Sequence, residues 1–282
     1  MAMVRAAGLS FGPLGVTDTS AHGSKLEAAH ALLCTGSCIE CNATSAVIQQ
    51  LDAVTKPSTA DAWLRQLFWH GVARIDASWG FGDILRRGDL AGLLRRRLDA
   101  LGDQSIYNMK AADGEQMPMR NLTAAVMARL RPVASSYLGA DAAYGGCKLL
   151  LLPGRNLTSR EYISGLWHHD RCGRRLKCFV YLGPVGPNSH APLVVPRTHR
   201  TVYYTYSNVQ SSRFDDEHVL KTYGSPLSLF GDVGDGFCFD TNGIHRGTLA
   251  GTKARHVAIF EFHDDGLERA FKVAKVDAPF GH

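Results

Sequence analysis

His168, Asp170 and His245 constrain this chain more than any other feature of its sequence. Alternate side chains of an extended strand point to the same face, so His168 and Asp170 can share one metal ion while His169 points away. Two neutral imidazoles and one carboxylate hold a divalent iron without filling its coordination sphere, and this set is typical of non-haem Fe(II) sites. The lone His245, in a glycine-rich and strand-like segment, can complete it. The sequence therefore predicts a metal centre carried by strands.

The segments around these residues have the pattern of short strands separated by turns. Each is an apolar run bounded by Gly, Pro or Asn-Gly turn signals. The predicted strands cover residues 176–182, 191–199, 236–240, 244–247 and 255–262. Short strands of this kind, with polar residues at their ends, are typical of a small β-barrel or jelly roll.

Helical patterns lie mostly in the first half of the chain and favour helices packed along one side of the barrel. They cover residues 59–67, 83–101 and 121–138, with a further one at 214–223. We therefore predict a mainly β fold with flanking helices (α+β). A chain of 282 residues with 45% hydrophobic content can bury one large core. We assign residues 59–282 to one barrel domain and residues 1–58 to an N-terminal extension that is partly helical or flexible.

The motif-bearing residues resemble the phytanoyl-CoA dioxygenase-like branch of the Fe(II)/2-oxoglutarate oxygenases. The resemblance spans roughly residues 60–265, and its matching pieces are the W-H-x-D motif at 167–170, residues 192–199 and the closing run from His245 through Arg255 to 261–262. It implies a double-stranded β-helix, that is, a jelly-roll or cupin-like barrel, with iron held by His168, Asp170 and His245. It also implies 2-oxoglutarate and O2 as co-substrates, with succinate and CO2 released as a substrate C–H bond is oxidised.

Arg255 follows His245 by ten residues, where the resemblance implies an arginine that holds the distal carboxylate of 2-oxoglutarate. A planar guanidinium is the side chain best shaped for a bidentate pair with a carboxylate. The family often adds a hydroxyl residue close after the distal histidine, and the nearest one here is Thr248. Arg255 and Thr248 are therefore the candidates for the co-substrate site. An intact Asp170 argues against the halogenating subtype, while hydroxylation, desaturation and cyclisation all stay open.

A basic cluster follows the predicted metal ligands and bears on the substrate. Arg171, Arg174, Arg175 and Lys177 form it, in a chain with a net charge of +5. Such a cluster is either a solvated basic edge or a mouth that attracts an anionic small molecule. We take Trp167, Arg171 and Lys177 as candidate substrate contacts. The sequence shows no nucleic-acid-binding module.

The cysteines offer a competing site. Cys34, Cys38 and Cys41 have the spacing by which radical S-adenosylmethionine enzymes hold a [4Fe–4S] cluster, but Glu40 stands where those enzymes usually carry an aromatic residue. Seven cysteines and no apolar leader favour free thiols in a reducing interior over a disulfide framework. No apolar run has the length of a membrane span, so we expect a cytoplasmic protein, with organellar targeting left open.

Two further functions remain open for the predicted ligand set. A barrel of this kind can bind a metal without oxygenase turnover. A zinc hydrolase uses similar ligands but has no need of Arg255.

Overall fold

The computed structural model describes residues 59–102, 106–108, 117–138, 142–170, 175–200 and 213–264. The predicted extension at 1–58, with Cys34, Cys38 and Cys41, lies outside the described residues, as does the end of the predicted domain at 265–282. Arg171 and Arg174 of the basic cluster lie outside them as well.

Helices precede most of the strands, as the sequence predicted. They are α1 (Thr59–His70), α2 (Phe81–Arg86), α3 (Leu90–Asp99), α4 (Met117–Leu138) and α5 (Asp216–Tyr223). Four predicted helical segments are thus confirmed, although α4 begins before residue 121 and the segment at 83–101 is split in two. Among the described residues, no helix combines the length and the apolar character needed to cross a bilayer.

The split between α2 and α3 has a local cause. Gly88 and Asp89 both adopt left-handed backbone conformations, with φ of 60° and 52°. The Asp89 carboxylate then accepts a hydrogen bond from the Gly92 amide and caps the start of α3. The amphipathic pattern continues through this break, which is why periodicity alone predicted one helix.

The described strands run from Val72 to Asp264. They are β1 (Val72–Ile75), β2 (Ile106–Asn108), β3 (Ala142–Leu152), β4 (Trp167–His168), β5 (Arg175–Tyr181), β6 (Pro192–Val194), β7 (Arg213–Phe214), β8 (Leu227–Ser228), β9 (Gly236–Asp240), β10 (His245–Gly247) and β11 (Arg255–Asp264). The five predicted strand segments correspond to β5, β6, β9, β10 and β11. The long strand β3 was not predicted.

These strands form two antiparallel sheets. One has the order β1-β9-β5-β11-β3-β2, and the other has the order β7-β4-β10-β6-β8. An apolar cluster fills the space between them, with Phe237 and Val257 from the larger sheet and Val194 from the smaller one. This is the predicted jelly-roll arrangement, so the fold class is confirmed.

Strand alternation gives the larger sheet a helix-facing side and a barrel-facing side. In β5, Leu176, Cys178 and Val180 belong to the core cluster that also contains residues of α1 to α4. Lys177 and Phe179, at the positions between them, face the interior of the barrel and line its cavity. The helices therefore cover one side of the barrel, and the opposite side of the same strands is left to build a site.

Cys178 and Cys238 form a disulfide between β5 and β9, which corrects the expectation of free thiols. The two residues are direct register partners, and both are fully buried on the helix-facing side. Pairing of this kind depends on strand register, which a count of cysteines does not reveal. Cys147 in β3 is a buried free thiol.

Candidate metal centre and cavity

The structure brings His168, Asp170 and His245 together. His168 ends β4 and is the register partner of His245 at the start of β10, so the two rings lie side by side with their centroids 4.2 Å apart. Asp170 lies two residues beyond His168 and turns to the same side. One donor atom from each residue lies within 4.8 Å of the other two, which is close enough for one ion.

Backbone carbonyls orient both imidazoles. The Nδ1 atoms of His168 and His245 lie 2.8 Å from the carbonyl oxygens of Leu166 and Gly243. A carbonyl only accepts a hydrogen bond, so each Nδ1 carries the proton and each Nε2 keeps a lone pair for a metal. Both Nε2 atoms lie 3.9 Å from Oδ1 of Asp170. These donors fit a metal ion.

The alternation inferred from the HHD sequence is visible at His169. This residue is fully buried but does not line the cavity. Its ring packs instead against Phe214 of β7, with 5.9 Å between the centroids. His168 and Asp170 thus face the cavity while His169 belongs to the packing on the other side.

The electrostatics of the three ligands suit metal binding. Burial lowers the pKa of His168 and of His245, so both rings are in the neutral form that binds metals. Burial alone would raise the pKa of the Asp170 carboxyl. The Lys177 ammonium, which also donates a hydrogen bond to this carboxylate, outweighs burial and holds that pKa well below its usual range. The site therefore presents two neutral donors and one anionic donor.

A cavity of about 270 Å³ lies between the sheets beside these ligands. Its apolar wall includes Phe179, Phe237 and Phe239. Its polar wall carries the three candidate ligands together with Lys148, Tyr162, Lys177, Arg255 and Glu261.

Arg255 begins β11 and is 1% exposed. Its guanidinium donates to the carbonyl oxygen of His190 and, over 3.1 Å, to the hydroxyl of Tyr162. Within the described part of the chain, Nε of Arg255 has no hydrogen-bond partner, and no carboxylate forms an ion pair with this side chain. A buried cation without a counter-ion is costly, so the cavity beside Arg255 is suited to an anion.

Lys177 belongs to a row of alternating charges on the cavity wall. Its Nζ lies 2.6 Å from Oδ2 of Asp170 and 3.9 Å from Oε1 of Glu261, and Lys148 contacts the same Glu261 oxygen at 2.9 Å. Of the predicted substrate contacts, Lys177 therefore does line the cavity. Sequence reasoning missed Lys148 and Glu261, although both occupy barrel-facing positions of their strands.

Two other predicted contacts lie elsewhere. Trp167 is 1% exposed and packs with Val195, Val219 and Ile244 on the far side of the smaller sheet, away from the cavity lining. Thr248 is also absent from that lining, and its hydroxyl donates to the carbonyl oxygen of Ala250. Tyr162, which sequence reasoning did not single out, supplies the hydroxyl that lies beside Arg255.

Comparison with known proteins bears on the fold. No protein-family model and no curated protein sequence matches the chain. Among solved structures, the non-heme alpha ketoglutarate dependent epimerase SnoN from nogalamycin biosynthesis is 16% identical, with a TM-score of 0.50 over 74% of this chain and 84% of that chain.

A second solved structure is EctD from S. alaskensis, in complex with 2-oxoglutarate and 5-hydroxyectoine. It is 19% identical, with a TM-score of 0.50 over 73% of this chain and 76% of that one. At these identities the likeness establishes a shared fold. The resemblance to Fe(II)/2-oxoglutarate oxygenases is therefore confirmed at the level of the fold.

Proposed function

We propose that this protein is an Fe(II)- and 2-oxoglutarate-dependent oxygenase that oxidises a C–H bond of a small organic substrate. One observation carries the proposal. The donors of His168, Asp170 and His245 share a cavity with Arg255, a buried cation that forms no ion pair with any described carboxylate. A metal centre alone has no need of such a cation. A co-substrate that has a keto acid at one end and a carboxylate at the other uses both.

Each residue then has a defined part. His168, Asp170 and His245 would hold Fe(II) and leave coordination positions open. Bound Fe(II) would supply the redox chemistry that converts O2 and 2-oxoglutarate into succinate and CO2 while the substrate is oxidised. Arg255 holds the distal carboxylate, and the apolar cavity wall excludes water from the reacting groups.

The substrate we propose is small and anionic. Three cationic side chains, Lys148, Lys177 and Arg255, line the cavity against two carboxylates, Asp170 and Glu261, and this balance favours an anionic occupant. The guanidinium of Arg246 does not enter this balance, because it pairs with Asp216 at 2.6 Å and stacks on Trp167 on the other side of the smaller sheet. The solved structures of similar fold contain small organic molecules, nogalamycin RO for SnoN and 5-hydroxyectoine for EctD, which supports a substrate of that size.

The test is anaerobic reconstitution with Fe(II), followed by titration with 2-oxoglutarate. The chelated complex has a weak visible charge-transfer band. We expect this band in the wild type, its loss in His168→Ala, and a requirement for at least about tenfold more 2-oxoglutarate in Arg255→Lys, because a lysine cannot make the bidentate pair.

Thr248→Ala is the matched control, since Thr248 lies outside the cavity and its loss should leave the band unchanged. Succinate release in the presence of O2 then serves as the assay for a substrate screen. Iron binding without a band would overturn the 2-oxoglutarate assignment in favour of a hydrolytic barrel or of a metal-binding one. A band without conversion of 2-oxoglutarate into succinate in the presence of any candidate anionic substrate would favour a barrel without turnover.

A further inference from the structure

Tyr162 has an unusual place in the cavity. It immediately precedes the short 3-10 turn Ile163–Gly165, outside every strand, yet it lines the cavity between the sheets. Its hydroxyl accepts a hydrogen bond from Nη2 of Arg255 over 3.1 Å. A phenol both accepts and donates, and no described residue accepts the proton of this hydroxyl. The donor therefore stays available beside a buried guanidinium that has no counter-ion.

Gly247 makes room for this hydroxyl. It lies two residues after His245 on β10, and both residues line the cavity. A Cβ at position 247 would lie 2.6 Å from the Tyr162 hydroxyl oxygen and 2.8 Å from its Cε1. No carbon can approach those atoms so closely, so any larger residue at 247 would displace the Tyr162 ring. The phenol of Tyr162 thus fills the space that a side chain at position 247 would otherwise occupy.

Tyr162 supplies the hydroxyl that the sequence had assigned to Thr248. The sequence predicted a co-substrate hydroxyl on β10 or just after it, but Thr248 does not line the cavity and donates instead to the carbonyl oxygen of Ala250. The hydroxyl that does lie beside Arg255 comes from a different segment, by way of Tyr162. A guanidinium and a phenol that converge on one point form a two-sided clamp for a carboxylate, in which each donates to an oxygen.

We infer that Tyr162 is a specificity-determining residue for the co-substrate. Its hydroxyl donates to the distal carboxylate that pairs with Arg255, and Gly247 is required because Tyr162 occupies the adjoining space. The inference rests on the proposed function and adds a residue to its co-substrate site. It assigns to Tyr162 the selection of a 2-oxo acid with a second carboxylate over one without it.

The experiment compares two ligands on Tyr162→Phe, which removes only the hydroxyl. Anaerobic Fe(II) protein is titrated with 2-oxoglutarate and with 2-oxobutyrate, which lacks the distal carboxylate, and the charge-transfer band gives each Kd. We expect the Kd for 2-oxoglutarate to rise about tenfold, as for the loss of one hydrogen bond to a charged group. The Kd for 2-oxobutyrate and the affinity for Fe(II) should stay unchanged.

The outcomes separate the two claims. A wild-type protein that binds Fe(II) but neither 2-oxo acid overturns the proposed function and this inference with it. A wild type that binds 2-oxoglutarate, beside a Tyr162→Phe variant with the same Kd, overturns the inference alone. An equal loss for both ligands also overturns it, because it would show a general disturbance of the cavity.

A second set of variants tests the shared space. Gly247→Ser alone should weaken 2-oxoglutarate binding, because its Cβ displaces the Tyr162 ring. Tyr162→Ala alone should weaken it by loss of the hydroxyl. In the double variant the serine oxygen, one bond from that Cβ, can stand close to the vacated position. We expect the double variant to bind 2-oxoglutarate more tightly than either single one, and weaker binding would contradict the inference.

Discussion

The ammonium of Lys177 lies 2.6 Å from Oδ2 of Asp170 and thereby determines which oxygen of that carboxylate faces the imidazoles. The other oxygen, Oδ1, lies 3.9 Å from the Nε2 atoms of both His168 and His245. Lys177 follows the HHD sequence by only a few residues but reaches Asp170 from the larger sheet. The carboxylate ligand is therefore positioned by one sheet while both imidazoles are positioned by the other.

The ion pair between Lys177 and Asp170 leads to a prediction about the stability of the metal-free protein. Lys177→Met leaves the Asp170 carboxylate without its cation in a site where the two side chains are only 23% and 21% exposed. We expect the free energy of unfolding of the metal-free protein to fall by about 1–3 kcal/mol. A bound divalent ion neutralises the same carboxylate, so the loss should be smaller with Mn(II) present. Chemical denaturation with and without Mn(II) measures both values.

Lys148→Met is the control for that comparison. Lys148 pairs with Glu261 at 2.9 Å and is 43% exposed, whereas the lysine that pairs with Asp170 is Lys177. Its loss should lower stability by less than about 1 kcal/mol, and equally in both forms. If Lys177→Met also destabilised both forms equally, Lys177 would act as a general structural ion pair and not as the partner of a metal ligand.

Gly236 gives a prediction about the larger sheet. A Cβ at Gly236 would collide with the carbonyl oxygen of Phe179 on the neighbouring strand. Because that oxygen belongs to the backbone of β5, relief requires the strands to separate. We expect Gly236→Ala to lower the free energy of unfolding by at least about 2 kcal/mol. Gly186→Ala, where nothing lies within 4 Å, is the matched control and should change it by less than about 0.5 kcal/mol.

Cys147 gives a prediction about alkaline pH. Burial raises the pKa of its thiol from 9.0 to about 12. Above pH 9 the unfolded chain loses this proton while the folded protein keeps it, so stability falls as pH rises from 9 towards 12, by at most about 1.4 kcal/mol per pH unit. Cys147→Ala removes this dependence. The stability difference between wild type and variant should therefore shrink from pH 8 to pH 10.5 in urea unfolding, and a constant difference would contradict the burial argument.

Local spacing explains what the sequence could predict. His168 and Asp170 are two positions apart on an extended segment, so their common face follows from strand geometry alone. The predicted strands were likewise found because each is a bounded apolar run. Strand alternation could not show that His245 is the register partner of His168. The resemblance to the oxygenase family was needed to assign His245 to the same metal site.

Contacts that depend on the register between neighbouring strands could not be predicted from the sequence. Glu261 stands opposite Lys177 in the larger sheet, and only this pairing identifies it as part of the site. Cys178 meets Cys238 for the same reason. Tyr162 lies outside every described strand, so no hydrophobic periodicity identifies it. Gly247 leaves room for its ring, but only the contact between the two in the structure shows this.

Arg255 gives a prediction that separates stability from binding. Its guanidinium is buried without a carboxylate partner among the described residues, so Arg255→Met removes a desolvated charge and keeps most of the side-chain volume. The loss of its hydrogen bonds to His190 and Tyr162 offsets this gain, and we expect the stability of the ligand-free protein to change by less than about 1 kcal/mol.

At 100 times the wild-type Kd, 2-oxoglutarate should stabilise the metal-loaded wild type by about 2.7 kcal/mol and stabilise the variant by at least about 1 kcal/mol less. Thermal and urea unfolding with and without ligand measure both effects. If Arg255→Met lowered the free energy of unfolding by several kcal/mol without ligand, the arginine would be needed for the fold. If the ligand-free variant were as stable as the wild type but were no longer stabilised by 2-oxoglutarate, the arginine would be needed for ligand binding.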